Sequence, residues 1–244
     1  VGYNTTQLHP EQTFERHVYH RDQFAHYFRW THVLKNLTIG QKVLDVGCAD
    51  AGLLEVMYRN RFKGERYVGL EYRQATVKGN KEKYKGVPWA EFYQTDITKH
   101  FPKEAQDDWD IVACFEVLEH VGKPNVRAAL KNIYDAGNGR TKFMFSTPCY
   151  DPAVGAAENH IIDGVIGELR FGELKTCLLD TGFRIDAVYG TFASIKDYKP
   201  LMNDWQTKMF EGLKEYYDPN LLSNLMAPFF PEASRNCLWI CSRT

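Results

Sequence analysis

The 244-residue chain reads as an α/β fold, a mostly parallel sheet with helices on both faces. Short β-branched and aromatic runs alternate with segments whose apolar residues recur at helical spacing, which is the rhythm of βαβ units. One such run, Val43-Leu44-Asp45-Val46, ends on an acid. It passes through the tight turn Gly47-Cys48-Ala49-Asp50-Ala51-Gly52 into an apolar segment, the local chemistry of a cofactor-binding strand–loop–helix. Acids then recur where the next strands end.

The elements follow in order. Residues 1–10 form a polar arm. From Gln12 to Leu37, Phe24, Tyr27, Phe28, Trp30, Val33, Leu34 and Leu37 fall at helical spacing, predicting one or two helices packed on the main domain and ended by Ile39-Gly40. The spacing predicts strands at Lys42–Val46, Tyr67–Glu71, Glu91–Thr95, Trp109–Phe115, Thr141–Thr147, Arg184–Tyr189 and Cys237–Ser242. It predicts helices at Leu53–Arg61, Gln74–Lys85, Asn125–Ala136 and Glu168–Thr181, the last stopped by Gly182. Residues 194–234 break the rhythm. Trp205, Met209, Phe210, Leu213, Tyr216, Tyr217, Leu221, Leu222 and Leu225 mark a helical cap inserted before the last strand. The expected organisation is residues 1–38 as arm and helices, then a single domain over residues 39–244 that carries the cap.

Bulk properties agree with a single elaborated domain. The 44% hydrophobic content supports a sizeable core. Thirty Lys and Arg against 31 Asp and Glu give no global pull toward nucleic acid or membrane. No apolar run is long enough to span a bilayer, and no charged segment followed by an apolar one opens the chain. Six cysteines without a CxxC pair point to reduced core thiols and a cytoplasmic setting.

Ligands of open α/β sheets sit beyond the carboxyl ends of the strands. The residues expected there are Asp45, Gly47, Cys48 and Ala49 after the first strand, and Glu71 and Tyr72 after the second. Asp96 and Ile97 follow the third, and Phe115 and Glu116 the fourth. Three acids suit a ligand carrying an ammonium, a ribose diol and an exocyclic amine, all donors to carboxylates. A dinucleotide would prefer a full G-x-G-x-x-G, and Asp50 beside the helix N-terminus would repel its pyrophosphate.

The ordered set DVGCADAG, YVGLEY, YQTDI, DIVACFEVLEHV and FMFSTP resembles the class I S-adenosylmethionine-dependent methyltransferases over residues 40–190 and the last strand. The resemblance implies a Rossmann-like seven-stranded sheet ending in an antiparallel hairpin. It assigns Asp45 and the Gly47 turn to the methionine part of S-adenosylmethionine, Glu71 to the ribose hydroxyls, and Asp96 with Ile97 to the adenine. The family's further glycines are replaced here by Ala49 and Ala51, which predicts a modest shift of the loop rather than loss of binding.

Beyond the fourth strand, Glu116, Glu119 and His120 share one face of a helical turn and are placed to converge. Two carboxylates and an imidazole are a candidate Mg2+ or Mn2+ half-site, with His160 as a fourth ligand. The turn is similar to those of ubiquinone-biosynthesis O-methyltransferases and small-RNA 3′-terminal 2′-O-methyltransferases. The resemblance implies a metal that lowers the pKa of an acceptor hydroxyl. In its absence His120 or His160 is the candidate general base.

Other features carry less. Pro148-Cys149 follows the fifth strand, whereas the nucleophilic pair of cytosine-C5 methyltransferases follows the fourth. Cys114-Phe115-Glu116-Val117 stands where DNA amino-methylating enzymes have an Asn/Asp-Pro-Pro-aromatic tetrapeptide. His17, His20 and His26 suit a surface face or a pocket entrance, and Lys78, Lys81, Lys83 and Lys85 suit a solvated helix face. The leading expectation is O-methylation of a small-molecule or sugar-like hydroxyl. The alternatives are RNA or nucleotide methylation and a non-catalytic cofactor-binding scaffold.

Overall fold

The computed structural model describes residues 21–62, 64–149, 161–162 and 165–244. Strands β1 (Lys42–Val46), β2 (Arg66–Glu71), β3 (Ala90–Gln94), β4 (Ile111–Phe115) and β5 (Lys142–Pro148) are parallel. A separate two-stranded hairpin, β6 (Ile161–Ile162) and β7 (Val165–Ile166), precedes β8 (Phe183–Ala193) and β9 (Ser234–Arg243). The main sheet has seven strands in the order β3-β2-β1-β4-β5-β9-β8, with β9 antiparallel to both neighbours. The strand order reverses direction between β1 and β4, so a crevice opens at their carboxyl ends.

The central strands β1, β2, β4 and β5 are mostly apolar and buried because both faces are covered. Alternate residues feed two cores. Leu44, Val46, Val112 and Cys114 pack with Leu130 and Ile133 of α4 (Val126–Ala136) and Leu174 and Leu178 of α5 (Phe171–Thr181). Val43, Tyr67 and Ala113 pack on the other face, with Val33 of α1 (Arg21–Asn36), Leu53 and Leu54 of α2 (Gly52–Arg59) and Val77 of α3 (Gln74–Lys83). α5 stops at Gly182, whose φ of +106° is the left-handed cap expected of it.

Several boundaries differ from the sequence expectation. β4 starts at Ile111, because Trp109 is buried ahead of it with its indole N–H on the Ala105 carbonyl at 2.9 Å. α5 starts at Phe171, because Leu169 bridges to Cys149. β8 runs past Tyr189 to Ala193 through register shifts, and the hairpin β6–β7 was not expected. Gly190 permits the extension: a Cβ there would lie 2.0 Å from Ser234 Oγ and 2.3 Å from the Ala227 carbonyl oxygen.

Between β8 and β9 the chain is helical, with α6 (Ile195–Tyr198), α7 (Asp204–Leu213) and α8 (Pro219–Met226). Tyr198, Phe210, Leu222, Met226 and Ala227 form a third apolar cluster with Ala193. α1 lies against β8, where the His32 and Tyr189 rings are 5.0 Å apart. No described helix is long and apolar enough to cross a membrane, and all six cysteines are free thiols.

Candidate functional site

The first loop is drawn across β2 by two amides, Gly47 and Cys48, that donate to the Leu70 carbonyl at 2.8 and 2.9 Å. Gly47 has φ +77°, and a Cβ there would lie 2.2 Å from Val117 Cγ2. Only glycine lets the loop after β1 touch the loop after β4. Ala49 and Ala51 also take left-handed φ, +43° and +58°, each at a cost of about 1–2 kcal/mol for a residue with a Cβ. Side chains of the α3 region hold them there. Asn80 donates to the Ala49 carbonyl at 2.7 Å, and the Tyr84 hydroxyl lies 3.4 Å from that of Ala51. The two alanines therefore keep the backbone shape that glycines would take.

The acids expected at the strand ends are present. Asp45 is buried and accepts from the Tyr67 hydroxyl at 2.6 Å. Burial pushes its pKa up to about 7, with Glu71 adding to the rise and the Tyr67 hydrogen bond opposing it. Glu71 accepts from the Ala49 amide at 3.2 Å and from the Arg73 amide and Nε at 2.9 and 3.1 Å. Asp96 accepts from the Thr98 amide and hydroxyl at 3.0 and 2.7 Å, while its other oxygen lies 3.2 Å from Lys99 Nζ. Those bonds, the Thr98 hydroxyl foremost, hold its pKa below the usual carboxylate range. Cys48 and Ile97 are buried in the cores, Phe115 is half-buried and Tyr72 is exposed.

Beyond β4 the chain turns at Glu116, which has φ +57°, a strained value for a residue with a Cβ. Its amide donates to the Ser146 carbonyl at 2.8 Å. Its carboxylate accepts from Arg29 Nη1, from Ser146 Oγ at 2.8 Å, and from Asn236 Nδ2 at 3.0 and 2.8 Å on its two oxygens. Burial would raise the Glu116 pKa, but the Arg29 guanidinium and these hydrogen bonds overcome it and hold the carboxyl below its ordinary range. Arg29 is 2% exposed, its Nη1 also reaches Ser146 Oγ at 2.9 Å, and its Nε finds no acceptor among the described residues. Thr191 donates to Asn236 Oδ1 at 2.9 Å, extending the network to β8.

Leu118–His120 is a 3-10 turn. Glu119 points inward, buried, and accepts from the Thr147 hydroxyl at 2.9 Å. Burial, with the charge of Glu116 beside it, pushes its pKa well above the carboxylate range. The His120 side chain is 49% exposed, with Nε2 3.8 Å from Glu119 Oε1. Glu116, Glu119 and His120 are thus not gathered into one ligand set, and among the described residues no three His, Cys, Asp or Glu side chains are placed to hold an ion. His160, the fourth expected ligand, lies outside the described residues, as do His17 and His20. The lysines at 78, 81, 83 and 85 are solvated.

Helix α1 contributes more than the sequence reading assigned to it. Trp30 packs on Gly52 at the start of α2, where a Cβ would lie 2.7 Å from its ring. His26, 5.3 Å from the Trp30 ring, has its pKa lowered to about 3, first by burial and then by Arg29. Arg29, Ser146 and Asn236 were not among the expected site residues. The available signal was Arg29 itself, on the buried row Ala25, Arg29, Val33 spaced four residues apart. A charge on a buried helix row implies a partner elsewhere in the fold.

The strand order, the switch-point crevice and the strand-end acids define a cofactor-binding α/β domain of the class I methyltransferase type. The chain belongs to the methyltransferase domain family, whose model matches residues 19–211, and it is thereby a class I S-adenosylmethionine-dependent methyltransferase domain. A ubiquinone biosynthesis O-methyltransferase of Salmonella paratyphi A is 37% identical over 87 residues, 35% of this chain and 34% of that protein. The chain thus matches about a third of that relative's length. Among solved structures, the cyclase SpnF is similar with a TM-score of 0.59 at 16% identity, covering 88% of this chain and 79% of that one. The methyltransferase domain of a bacterial Hen1 is similar with a TM-score of 0.58 at 14% identity, covering 91% and 100%. These two likenesses concern the fold; a cyclase among them illustrates that chemistry is set by the site.

Proposed function

We propose that this domain transfers the methyl group of S-adenosylmethionine to a hydroxyl of a small-molecule or sugar-like acceptor. The single observation that carries the reading is the contact between Gly47 and Val117, which sets the Glu116–His120 turn directly against the cofactor loop. The partial match to an O-methyltransferase supports hydroxyl as the acceptor atom. When bound, S-adenosylmethionine supplies an electrophilic methyl group on a sulfonium. The chain must hold the donor, orient the acceptor and take a proton.

Asp45 and the Gly47–Ala49 loop are assigned to the amino-acid part of the donor, Glu71 and Tyr72 to the ribose, and Asp96 and Ile97 to the adenine. Buried and half-buried carboxylates at successive strand ends fit those donor groups. His120, exposed beside Glu119, is the assigned general base, with His160 as its alternative. The helical segment between β8 and β9 is assigned as the lid of the acceptor pocket, within a domain assigned to residues 39–244. Calorimetry with S-adenosylhomocysteine, then transfer of a labelled methyl group to a panel of phenols, catechols and sugars, tests the reading. Labelling of none of them, with binding intact, overturns the acceptor class.

A second reading, methylation of RNA or a nucleotide, is favoured by the Glu-x-x-Glu-His spacing at Glu116–His120. Adding short RNAs to the same labelling panel tests it. Labelled RNA with unlabelled small molecules would reverse the order of the two readings.

A further inference from the structure

The Glu116–His120 turn has the residue types of a divalent-metal site, yet its donors do not fit an ion. A bound ion needs deprotonated carboxylates with lone pairs to spare. The Glu116 carboxylate already meets four donor contacts: Arg29 Nη1, Ser146 Oγ at 2.8 Å, and Asn236 Nδ2 at 3.0 and 2.8 Å. Glu119 is buried and turned to the Thr147 hydroxyl, 2.9 Å away, rather than toward a common point with Glu116 and His120. The Glu116 carboxylate thus has its acceptor capacity taken up, and a positive charge already stands against it.

That charge comes from a distant part of the chain. Arg29 stands 87 residues before Glu116 and is almost fully buried on α1. A guanidinium keeps its proton, and here the one nitrogen Nη1 serves two oxygens, Glu116 Oε1 and Ser146 Oγ. We propose that the Arg29 guanidinium takes the place that the Glu-x-x-Glu-His turn would give to a divalent metal. The acceptor centre then runs without metal, and α1 is a part of it. Arg29 acts here as a positioning residue: it holds the Glu116 carboxylate against Ser146 of β5, and Glu116 in turn accepts from Asn236 of β9, so β4, β5 and β9 form one wall of the crevice.

Two measurements on the full chain test this. In the first, Mn2+ is titrated into the wild-type protein and followed by electron paramagnetic resonance. The expected result is no Glu116-dependent binding at about 1 mM ion, a concentration that would fill even a weak site. Binding that disappears in Glu116→Gln overturns the proposal.

The second compares Arg29→Met with Arg29→Lys in the presence of a chelator. Arg29→Met is expected to lose about 100-fold in kcat, with its affinity for S-adenosylhomocysteine within about threefold of wild type. Arg29→Lys, which keeps the charge but not the fork, is expected to recover at least about a tenth of the wild-type rate. A lysine variant no better than the methionine variant, or wild-type turnover that a chelator abolishes and Mn2+ restores, overturns it. If Arg29→Met does not fold, the wild-type Mn2+ titration and the chelator assay of Arg29→Lys decide the matter. There, less than about a tenth of the wild-type rate overturns the proposal.

The kinetic arm rests on the methyltransferase reading, whereas the Mn2+ arm needs no acceptor. A chain that excludes Mn2+ but methylates nothing fails that reading and leaves the proposal about Arg29 standing.

Discussion

The two halves of the crevice, assigned under the proposed function to the methyl donor and to the acceptor, are built on opposite plans. On the donor side, the acids are held by partners no more than 22 residues away. Glu71 is bonded to residue 73 and to the adjoining loop, and Asp96 to residues 98 and 99. On the acceptor side, Glu116 is held by residues 29, 146 and 236, from three elements spread along the whole chain. A donor half made of local strand-end motifs is suited to one cofactor. An acceptor half assembled from distant elements is where the fold can change its substrate by changing what packs there.

The comparison predicts that acceptor-side mutations are felt in stability and donor-side mutations in affinity. The largest effect is expected at Glu116→Ala. It strands the buried Arg29 guanidinium, and breaking a buried pair from one side costs about 3–5 kcal/mol. Glu116 keeps some solvent contact, so the lower end of that range is expected in urea denaturation. A loss under about 1 kcal/mol would break the comparison.

Next in size is Glu71→Ala. Losing charge-assisted hydrogen bonds worth about 1.5–3 kcal/mol should weaken S-adenosylmethionine binding by about 10- to 150-fold in calorimetry, with a much smaller change in folding stability. A larger effect on folding than on binding would blur the two halves.

The donor side should also carry a pH signature. The Asp45 pKa is raised from 3.8 to about 7 in the folded chain. Between those values only the folded state holds the proton. The stability this group contributes is therefore full below about pH 4 and is lost as pH rises through about 7. Under the proposed assignment, Asp45 meets the cofactor's ammonium in its ionised form. Affinity should rise up to about tenfold per pH unit below 7 and level off above it, and Asp45→Asn should flatten the profile. Calorimetry from about pH 5.5 to about pH 8.5 checks both.

The smallest effect is at Ala49→Gly. Relief of the left-handed strain, less the entropy that glycine adds to the unfolded chain, should stabilise by about 0.5 kcal/mol in thermal denaturation. A destabilisation would mean that the exposed alanine methyl makes contacts that outweigh the strain.

Much of this was legible in the linear order of residues, and where it was not, the cause is physical. The βαβ rhythm, the strand ends at Asp45, Glu71 and Asp96 and the glycine turn are short-range patterns, because parallel strands buried on both faces must be apolar and must end where ligands bind. The helical nature of residues 194–234 was equally readable from apolar spacing. The extension of β8 to Ala193 was not, since it depends on Gly190 meeting Ala227 and Ser234, both far along the chain.

The turn at Glu116–His120 divides in the same way. Sequence spacing put two carboxylates and an imidazole in one turn beyond the fourth strand, but the convergence expected of them is not what the fold makes. What each of them meets was decided only when α1 brought Arg29 onto Glu116 and the fold buried Glu119 against Thr147. Strand-end chemistry is written in neighbouring residues. The charge state of a buried carboxyl depends on distant elements, because desolvation and Coulomb energy act through space and not along the chain.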